Sequence, residues 1–264
     1  MSLYDRIGID MGKRHGRSVP ECIEWAIEND VRYIDVRIDD RLVDGFTDDE
    51  IEEITSVSRE GNVNVGLHNE SAVNMAEISP FVTEAVEKYL FAYVDAAKVL
   101  DIDWIVVHGG YQFDDYDVRS AAAIDLLQRA DERAGDDIDL LLENHNPEPE
   151  EGEIGYIPVT LDQCVHFFGE LDVGWAFTVN HAHMRPPGID GFVDELPVDR
   201  CREVRLADNR GEVEEHLFPG EGTIDFVSMF NRLENEGFDG HYMLGFGTLE
   251  DMLDGRDYLV DLME

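Results

Sequence analysis

Six short apolar runs punctuate this chain, and most of them are followed at once by a histidine, an acid or an asparagine. The runs and their followers are Val63–Leu67 before His68, Trp104–Val107 before His108, Ile138–Leu142 before Glu143, Val173–Val179 before Asn180, Cys201–Leu206 just before Asp208, and Gly240–Leu244. In a closed parallel barrel the carboxyl ends of all strands meet at one mouth, where ligands are held. The pattern therefore predicts a barrel with its polar side chains gathered at one end.

Helix-like segments separate the runs. Thr47 and Glu50 have the spacing of a capping box, and Phe81–Leu100 places apolar residues at helical spacing. With Arg6–Asp10 and Tyr33–Ile38 as the first two strands, eight strand–helix units repeat at roughly thirty-residue intervals. The predicted helices are Pro20–Asn29, Thr47–Gly61, Phe81–Leu100, Asp117–Ala134, Leu161–Gly169, Ile224–Glu236 and Leu249–Met263.

This alternation predicts an α/β protein, a (β/α)8 barrel formed by residues 1–264 as one domain. The length agrees, because such a barrel takes about 250 residues. A doubly wound open sheet is the alternative. It is less favoured because no glycine-rich phosphate loop follows the first strand.

The net charge of the chain is the second feature that constrains what this protein can be. The chain has 60 Asp and Glu against 20 Lys and Arg, a net charge of −40, and its lysines are Lys13, Lys88 and Lys98. Such self-repulsion destabilises a compact chain, but at molar salt the Debye length falls to about 3 Å. The sequence thus predicts a protein from a halophile. Disorder is excluded because 43% of residues are hydrophobic and recur with strand and helix periods.

Cysteine use and the absence of targeting segments predict a cytoplasmic protein. Cys22, Cys164 and Cys201 form no CxxC motif, which is typical of a reducing compartment. No run approaches the ~18 apolar residues of a membrane span, and the first residues lack the features of a signal peptide. The sequence leaves open whether copies of the chain associate.

Three candidate ligands follow successive predicted strands. Imidazole nitrogen and carboxylate oxygen bind zinc and similar divalent ions, so His68, His108 and Glu143 form a candidate metal site. A carboxylate at the end of an apolar strand needs a cation or a donor. We predict zinc or manganese as the cofactor. The alternatives are a glutamate neutralised by an arginine or backbone amides, and histidines that serve as hydrogen-bonded wall residues.

A second group of polar residues lies at or after the ends of the sixth and seventh predicted strands. It comprises Asn180, His181, His183, Arg205, Asp208, Glu214 and His216. Long ordered loops after strands are often functional. Arg205 would either clamp a carboxylate or phosphate bidentately or neutralise Glu143. Gly220 and Gly222 precede a helix whose amino end favours anions, but Glu221 between them disfavours phosphate.

Taken in order, these segments resemble the xylose isomerase-like TIM barrel superfamily, which includes sugar and sugar-phosphate isomerases or epimerases and endonuclease IV-type enzymes. The resembling segments are Leu67–Ala76, Val106–Gly110, Leu142–Asn144, Asn180–His183, and Asp208–Gly211 through Gly220–Phe226. The resemblance covers nearly the whole chain. Each segment alone is weakly specific, and their order along the chain is what makes the resemblance specific.

The isomerase branch implies one divalent metal held by a Glu after strand 5, an Asp after strand 6, a His after strand 7 and a Glu after strand 8. Glu143 matches the first position. The other three positions fall on Asn180, on or near Arg205, and on or near Gly245. The four-ligand set is therefore incomplete in this sequence.

The endonuclease branch implies a zinc cluster, and this chain keeps a different part of it. His68, His108 and Glu143 match one metal position. His183 and His216 match another, with Glu214 replacing an Asp. The central metal of that branch would share the three missing ligands. We therefore expect a shifted metal site built on His68, His108, Glu143, His183 and His216.

Three functions follow. The first is isomerisation or epimerisation of a small sugar, with Glu143, His183 and Arg205 as catalytic residues. Its substrate-binding residues would be His68, His108, Asn180, Asp208 and His216. The second is zinc-dependent phosphodiester hydrolysis, disfavoured because nucleic acid needs a cationic surface and the strongest basic cluster is only residues 13–17. The third is a non-catalytic sugar-binding barrel.

Overall fold

The computed structural model describes residues 1–12, 14–113, 115–147 and 154–264. Its strands are β1 (Ile7–Asp10), β2 (Tyr33–Val36), β3 (Asn64–His68), β4 (Trp104–Val107), β5 (Tyr111–Gln112), β6 (Asp139–Glu143), β7 (Gly155–Tyr156), β8 (Gly174–Thr178), β9 (Cys201–Leu206) and β10 (His241–Leu244). Eight of them form a closed parallel barrel in the order β1-β10-β9-β8-β6-β4-β3-β2, and β5 pairs antiparallel with β7 outside it. The predicted (β/α)8 barrel is confirmed.

Helices alternate with the barrel strands and cover them. They are α1 (Leu3–Arg6), α2 (Val19–Glu28), α3 (Asp48–Gly61), α4 (Pro80–Val99), α5 (Tyr116–Ala134), α6 (Leu161–Glu170), α7 (Val179–His183), α8 (Gly188–Glu195), α9 (Phe226–Asn235) and α10 (Leu249–Met263). The predicted capping box is confirmed, because the Glu50 amide donates to Thr47 Oγ1 at 3.3 Å and Glu50 Oε2 accepts from the Thr47 amide at 2.8 Å. Within the described ranges, no helix has the length and apolarity needed to cross a membrane.

The structure corrects several boundaries. The first strand begins at Ile7 and is preceded by the unpredicted helix α1. Val179 belongs to helix α7 rather than to the preceding strand, because a buried apolar run does not reveal by itself where a strand ends and a helix begins. Helix α8 and the β5–β7 pair were not predicted either. Lys13 of the basic cluster lies outside the described residues.

The barrel interior combines a small apolar cluster with buried charges. Trp104, Val106, Leu141, Ala176 and Met243 form the apolar cluster, separate from the main core between sheet and helices. A Cβ at Gly66 would lie 2.1 Å from the Trp104 indole, so glycine is what lets this ring occupy the interior. The indole Nε1 donates to Asp35 Oδ1 at 3.0 Å.

Candidate functional site

The three predicted ligands meet at the carboxyl end of the barrel. His68 is the last residue of β3, His108 directly follows β4, and Glu143 is the last residue of β6. All three are buried. The two Nε2 atoms lie 3.1 Å apart, and Glu143 Oε2 lies 2.9 Å from that of His108 and 3.4 Å from that of His68. We call these residues the trio.

The trio has the donor set and the spacing that a divalent ion needs. A tetrahedral zinc ion at about 2.0–2.1 Å from each ligand places ligand atoms about 3.3 Å apart, close to the three separations found here. Among the described residues, this is the sole group of three or more His, Cys, Asp or Glu whose ligand atoms all lie within 4.8 Å of one another. The residues present therefore fit a divalent metal.

Neighbouring residues hold Glu143 in place. Thr178, the last residue of β8, donates its hydroxyl hydrogen to Glu143 Oε1. Asn144 then ties the two strand ends together, because its Nδ2 donates to the Thr178 carbonyl at 3.0 Å and its Oδ1 accepts from the Thr178 amide at 2.9 Å. Glu143 consequently presents its other oxygen, Oε2, to the two histidines.

The three groups differ in proton affinity. Burial raises the pKa of Glu143, but hydrogen bonds from His108 and His68 outweigh it and hold that pKa well below its usual range. Burial and Arg205 lower the pKa of His68, whereas Asp10 and Glu143 raise it, to about 8 on balance. Burial lowers the pKa of His108 to about 4. Glu143 is thus ionised at neutral pH.

Arg205 lies at the centre of a buried cluster of carboxylates. Its Nη1 contacts Asp35 and Glu203, and its Nη2 contacts Asp10. Its Nε lies 3.9 Å from Glu143 Oε1. The guanidinium therefore pairs with three acids that the sequence analysis did not single out, and Glu143 is its more distant partner. A substrate anion would have to displace these carboxylates before Arg205 could clamp it.

The acids around Arg205 differ in pKa. Burial raises the pKa of Asp10, but the Arg205 and His68 charges outweigh it and lower that pKa. For Asp35, burial and the Glu203 charge prevail over Arg205 and raise the pKa to about 8. The interior consequently combines ionised carboxylates with one that keeps its proton at neutral pH.

A second polar cluster surrounds Glu214. Its Oε1 accepts from Asn180 Nδ2 at 3.2 Å and lies 3.2 Å from His181 Nε2 and 2.8 Å from His216 Nε2. The Nδ1 atoms of the two histidines lie 2.7 Å from the carbonyl oxygens of Asn144 and Gly245, respectively. Burial raises the pKa of Glu214, but His181 and His216 outweigh it, and the result is about 2.

The backbone carbonyl partners of His181 and His216 determine which ring nitrogen of each histidine is available to exchange a proton. A carbonyl oxygen accepts only, so each Nδ1 carries a hydrogen. The exchangeable proton of each ring is then the one on Nε2, next to Glu214. His181 was absent from the predicted site residues, although the sequence placed it between Asn180 and His183.

The structure places two predicted residues away from this arrangement. His183 Nε2 bonds to Thr223 Oγ1 at 2.9 Å rather than to the Glu214 cluster, because residues two apart on a helix do not share a face. Asp208 accepts the amides of Gly220, Gly222 and Ile224 at 2.8 to 3.1 Å. Asp208 therefore organises the loop after β9.

A cavity of about 120 Å³ lies between the trio and the Glu214 cluster. We call it the carboxyl-end cavity. Its polar lining residues are Asp10, Arg37, His68, Glu143, Thr178, Asn180, His181, Arg205 and His216. Five predicted site residues line it, and His108 supports it as part of the trio.

His145 is a further residue that the sequence analysis missed. Its ring is buried, stacks on Tyr156 at a centroid distance of 4.1 Å and lies 4.6 Å from the His108 ring. Neither ring nitrogen has a hydrogen-bond partner in the described part of the chain. Buried nitrogens without partners are costly, and burial lowers the pKa of this histidine well below its usual range.

Comparison with known proteins places the chain in a family. The family model described as xylose isomerase-like TIM barrel matches residues 23–261. The chain belongs to this family. An uncharacterised protein of Methanocaldococcus jannaschii is 24% identical over 200 residues, which are 74% of this chain and 68% of that protein.

Solved structures of the xylose isomerase-like TIM barrel fold superpose over nearly the whole chain. A D-tagatose 3-epimerase-like protein is 20% identical, covers 98% of both chains and has a TM-score of 0.80. D-psicose 3-epimerase from Clostridium cellulolyticum is 15% identical, with 98% of both chains covered and a TM-score of 0.77. Endonuclease IV from Thermus thermophilus is 16% identical, covers 98% of this chain and 97% of its own, and has a TM-score of 0.74. These similarities show the shared fold.

Proposed function

We propose that this protein isomerises or epimerises a small sugar or sugar derivative with the help of a divalent metal. The observation that carries the proposal is the trio, whose ligand atoms converge beside a small polar cavity at the carboxyl end of the barrel. Active sites of such barrels lie at this end. The chain belongs to the xylose isomerase-like TIM barrel family, and its structure resembles those of sugar epimerases. Both observations support the substrate class.

The trio would hold the metal, zinc or manganese, without the other ligands that the isomerase branch implies. At those other positions Asn180 bonds to Glu214, Arg205 is neutralised by its carboxylates, and Gly245 has no side chain. A bound ion at the trio would polarise a carbonyl or hydroxyl oxygen of the substrate.

Proton transfer is assigned to the Glu214 cluster. His181 and His216 line the cavity, and each presents Nε2 at Glu214. A positioned imidazole is the commonest general acid or base. One of the two would take a proton from substrate while the other returns one, with Glu214 balancing the charge. Asn180 would orient a substrate hydroxyl.

The size and charge of the cavity favour a small neutral polyol. Its volume of about 120 Å³ is below the ~300–1,000 Å³ of pockets for drug-sized ligands. Asp10 and Glu143 lie in its wall, and both of its arginines are paired, Arg205 with buried carboxylates and Arg37 with Glu70. A phosphorylated substrate would therefore meet two carboxylates and no unpaired arginine.

The proposal can be tested with metal analysis and isotope exchange. Wild-type protein purified in molar KCl without chelator should hold about one zinc or manganese ion per chain. It should also incorporate deuterium from D2O into a ketose from a panel of D-tagatose, D-psicose and D-fructose. His108→Asn should lose both properties, whereas the matched control His166→Asn, an exposed histidine bonded to Tyr116, should keep them. Protein that refuses added zinc and manganese and exchanges no ketose would overturn the proposal.

Phosphodiester hydrolysis is the second candidate, because the trio matches one metal position of the endonuclease branch in the sequence resemblance. Its basic cluster is poorly suited to DNA, since Arg14 is paired with Asp40 and nucleic acid needs free cations. Incision of abasic-site DNA in an assay run at low and at molar KCl would favour this candidate. Unchanged sugar affinity in both Glu143→Gln and His108→Asn, without turnover in the wild type, would favour a non-catalytic sugar-binding barrel.

A further inference from the structure

A second cavity, of about 270 Å³, lies at the opposite mouth of the barrel. Tyr33, Trp104 and His241 line it and are the first residues of β2, β4 and β10. It therefore lies at the amino end of the strands, away from the trio. We call it the amino-end cavity.

One ring nitrogen of His241 has no partner in this cavity. The side chain is only 7% exposed, with its ring parallel to Tyr33 at a centroid distance of 4.6 Å and 4.5 Å from Trp104. Its Nε2 lies 2.9 Å from Glu203 Oε2. Nδ1 makes no hydrogen bond to any described residue.

The Glu203 contact fixes what Nδ1 can do. Burial raises the pKa of Glu203, but Arg205 and His241 outweigh it and lower that pKa, so the carboxylate accepts a hydrogen from Nε2. In the neutral ring Nδ1 is then a lone pair and an acceptor. An acceptor on a side chain that lines a cavity suits a ligand that carries N–H or O–H donors.

Charged side chains at the rim of the cavity determine which ligand charge it favours. Asp103, Asp139 and Asp239 line it, and Arg202 lies 3.7 Å from the second and third of these. Among the described residues, the Asp103 carboxylate makes no hydrogen bond or ion pair. Three acids against one arginine leave the cavity negative, so the expected ligand is a cation with hydrogen-bond donors.

We propose that the amino-end cavity binds a small ligand through a protonated primary amine. The ammonium group donates to His241 Nδ1 and to the Asp103 carboxylate, and its carbon chain lies along the edges of Trp104 and Tyr33. A metal ion fits less well, because the described acids and histidines of this cavity do not bring three ligand atoms within 4.8 Å. An ammonium group on a carbon chain needs no such convergence.

Two isomeric cations test this proposal on the wild-type chain. n-Butylammonium and tetramethylammonium have the same formula and charge, but only the first has N–H donors. Each chloride is titrated at constant ionic strength while amide shifts are followed by 1H–15N NMR. Saturable shifts at Tyr33, Asn64 and His241, with n-butylammonium bound at least about tenfold more tightly, support the proposal. Equal affinities, or shifts that never saturate, overturn it.

A pair of charge variants separates the site from the general field of an acidic protein. Asp103→Asn removes the unpaired carboxylate and should weaken n-butylammonium binding about tenfold or more. The control Asp101→Asn makes the same charge change two residues away, at a side chain that pairs with Arg59 outside the amino-end cavity, and should leave the affinity unchanged. Equal weakening in both variants would show that the cation responds only to net charge.

Discussion

Replacing Arg205 by methionine should strongly destabilise the barrel. Methionine preserves the length of the side chain but removes the cation that faces Asp10, Asp35 and Glu203. The Arg205 side chain is 9% exposed, and those of Asp35 and Glu203 are fully buried. Asp35 and Glu203 therefore lie out of contact with bulk water, and without the guanidinium they would have to remain uncompensated or take up protons.

The expected loss follows from that burial. Removing one partner of a buried ion pair costs about 3–5 kcal/mol, a large share of the roughly 5–15 kcal/mol by which proteins are stable. For a chain of this size each kcal/mol shifts the melting temperature by about 2–4 °C, so the expected decrease is about 6–20 °C. The loss should shrink at acidic pH, where the stranded carboxylates become neutral.

Urea and thermal unfolding, followed by circular dichroism, measure this loss. Arg202→Met is the matched control on the same strand, because its side chain is 47% exposed and its acids lie 3.7 Å away. Such exposed pairs contribute about 0–1 kcal/mol. If Arg205→Met cost no more than this control, the buried charge cluster would not have the energetic role assigned to it.

Four further outcomes are expected. The pKa of Asp35 is raised from 3.8 to about 8, so the folded state binds more protons between these values, and the stability of chelator-treated protein should fall as pH rises from about 4 to about 8. Asp35→Asn should flatten that dependence in unfolding curves. Gly66→Ala forces a Cβ to within 2.1 Å of Trp104 and should cost about 1–3 kcal/mol in urea, whereas Gly169→Ala, with open space around it, should be neutral or stabilising. His145→Phe should raise the unfolding free energy by about 1 kcal/mol, because it removes two unpartnered ring nitrogens; a lower value would indicate a partner for that ring. With a net charge of −40, the melting temperature should rise between dilute buffer and molar KCl, and a flat response would argue against adaptation to salt.

The fold and the trio were predictable because they depend on one geometric rule. Parallel strands deliver the residues that follow them to one mouth, so His68, His108 and Glu143 could be grouped without knowing any distance. Arg205 was singled out instead by the resemblance to the isomerase branch, because it falls on or near the position of that branch's metal-binding histidine.

The remaining site residues were hidden for identifiable reasons. Asp35 and Glu203 lie within strands whose two faces are both buried, so alternation of polar and apolar residues does not show which of them point inward. His181 and His183 are equally plausible in the sequence. Only the start of helix α7 at Val179 decides that His181 faces Glu214.

The charges inside the barrel also determine whether separate fragments of the chain can fold on their own. Asp10 and Asp35 come from the first two strands, whereas their cation, Arg205, comes from β9. A fragment made of the first four strand–helix units would hold two carboxylates built for a guanidinium that it does not contain, and the complementary fragment would retain that guanidinium with Glu203 alone among its three closest acids. Neither half contains the complete charge cluster, so closure of the barrel brings these acids to their arginine as well as completing the last strand pairing. Half-barrels of this sequence should therefore fold only when both are present together.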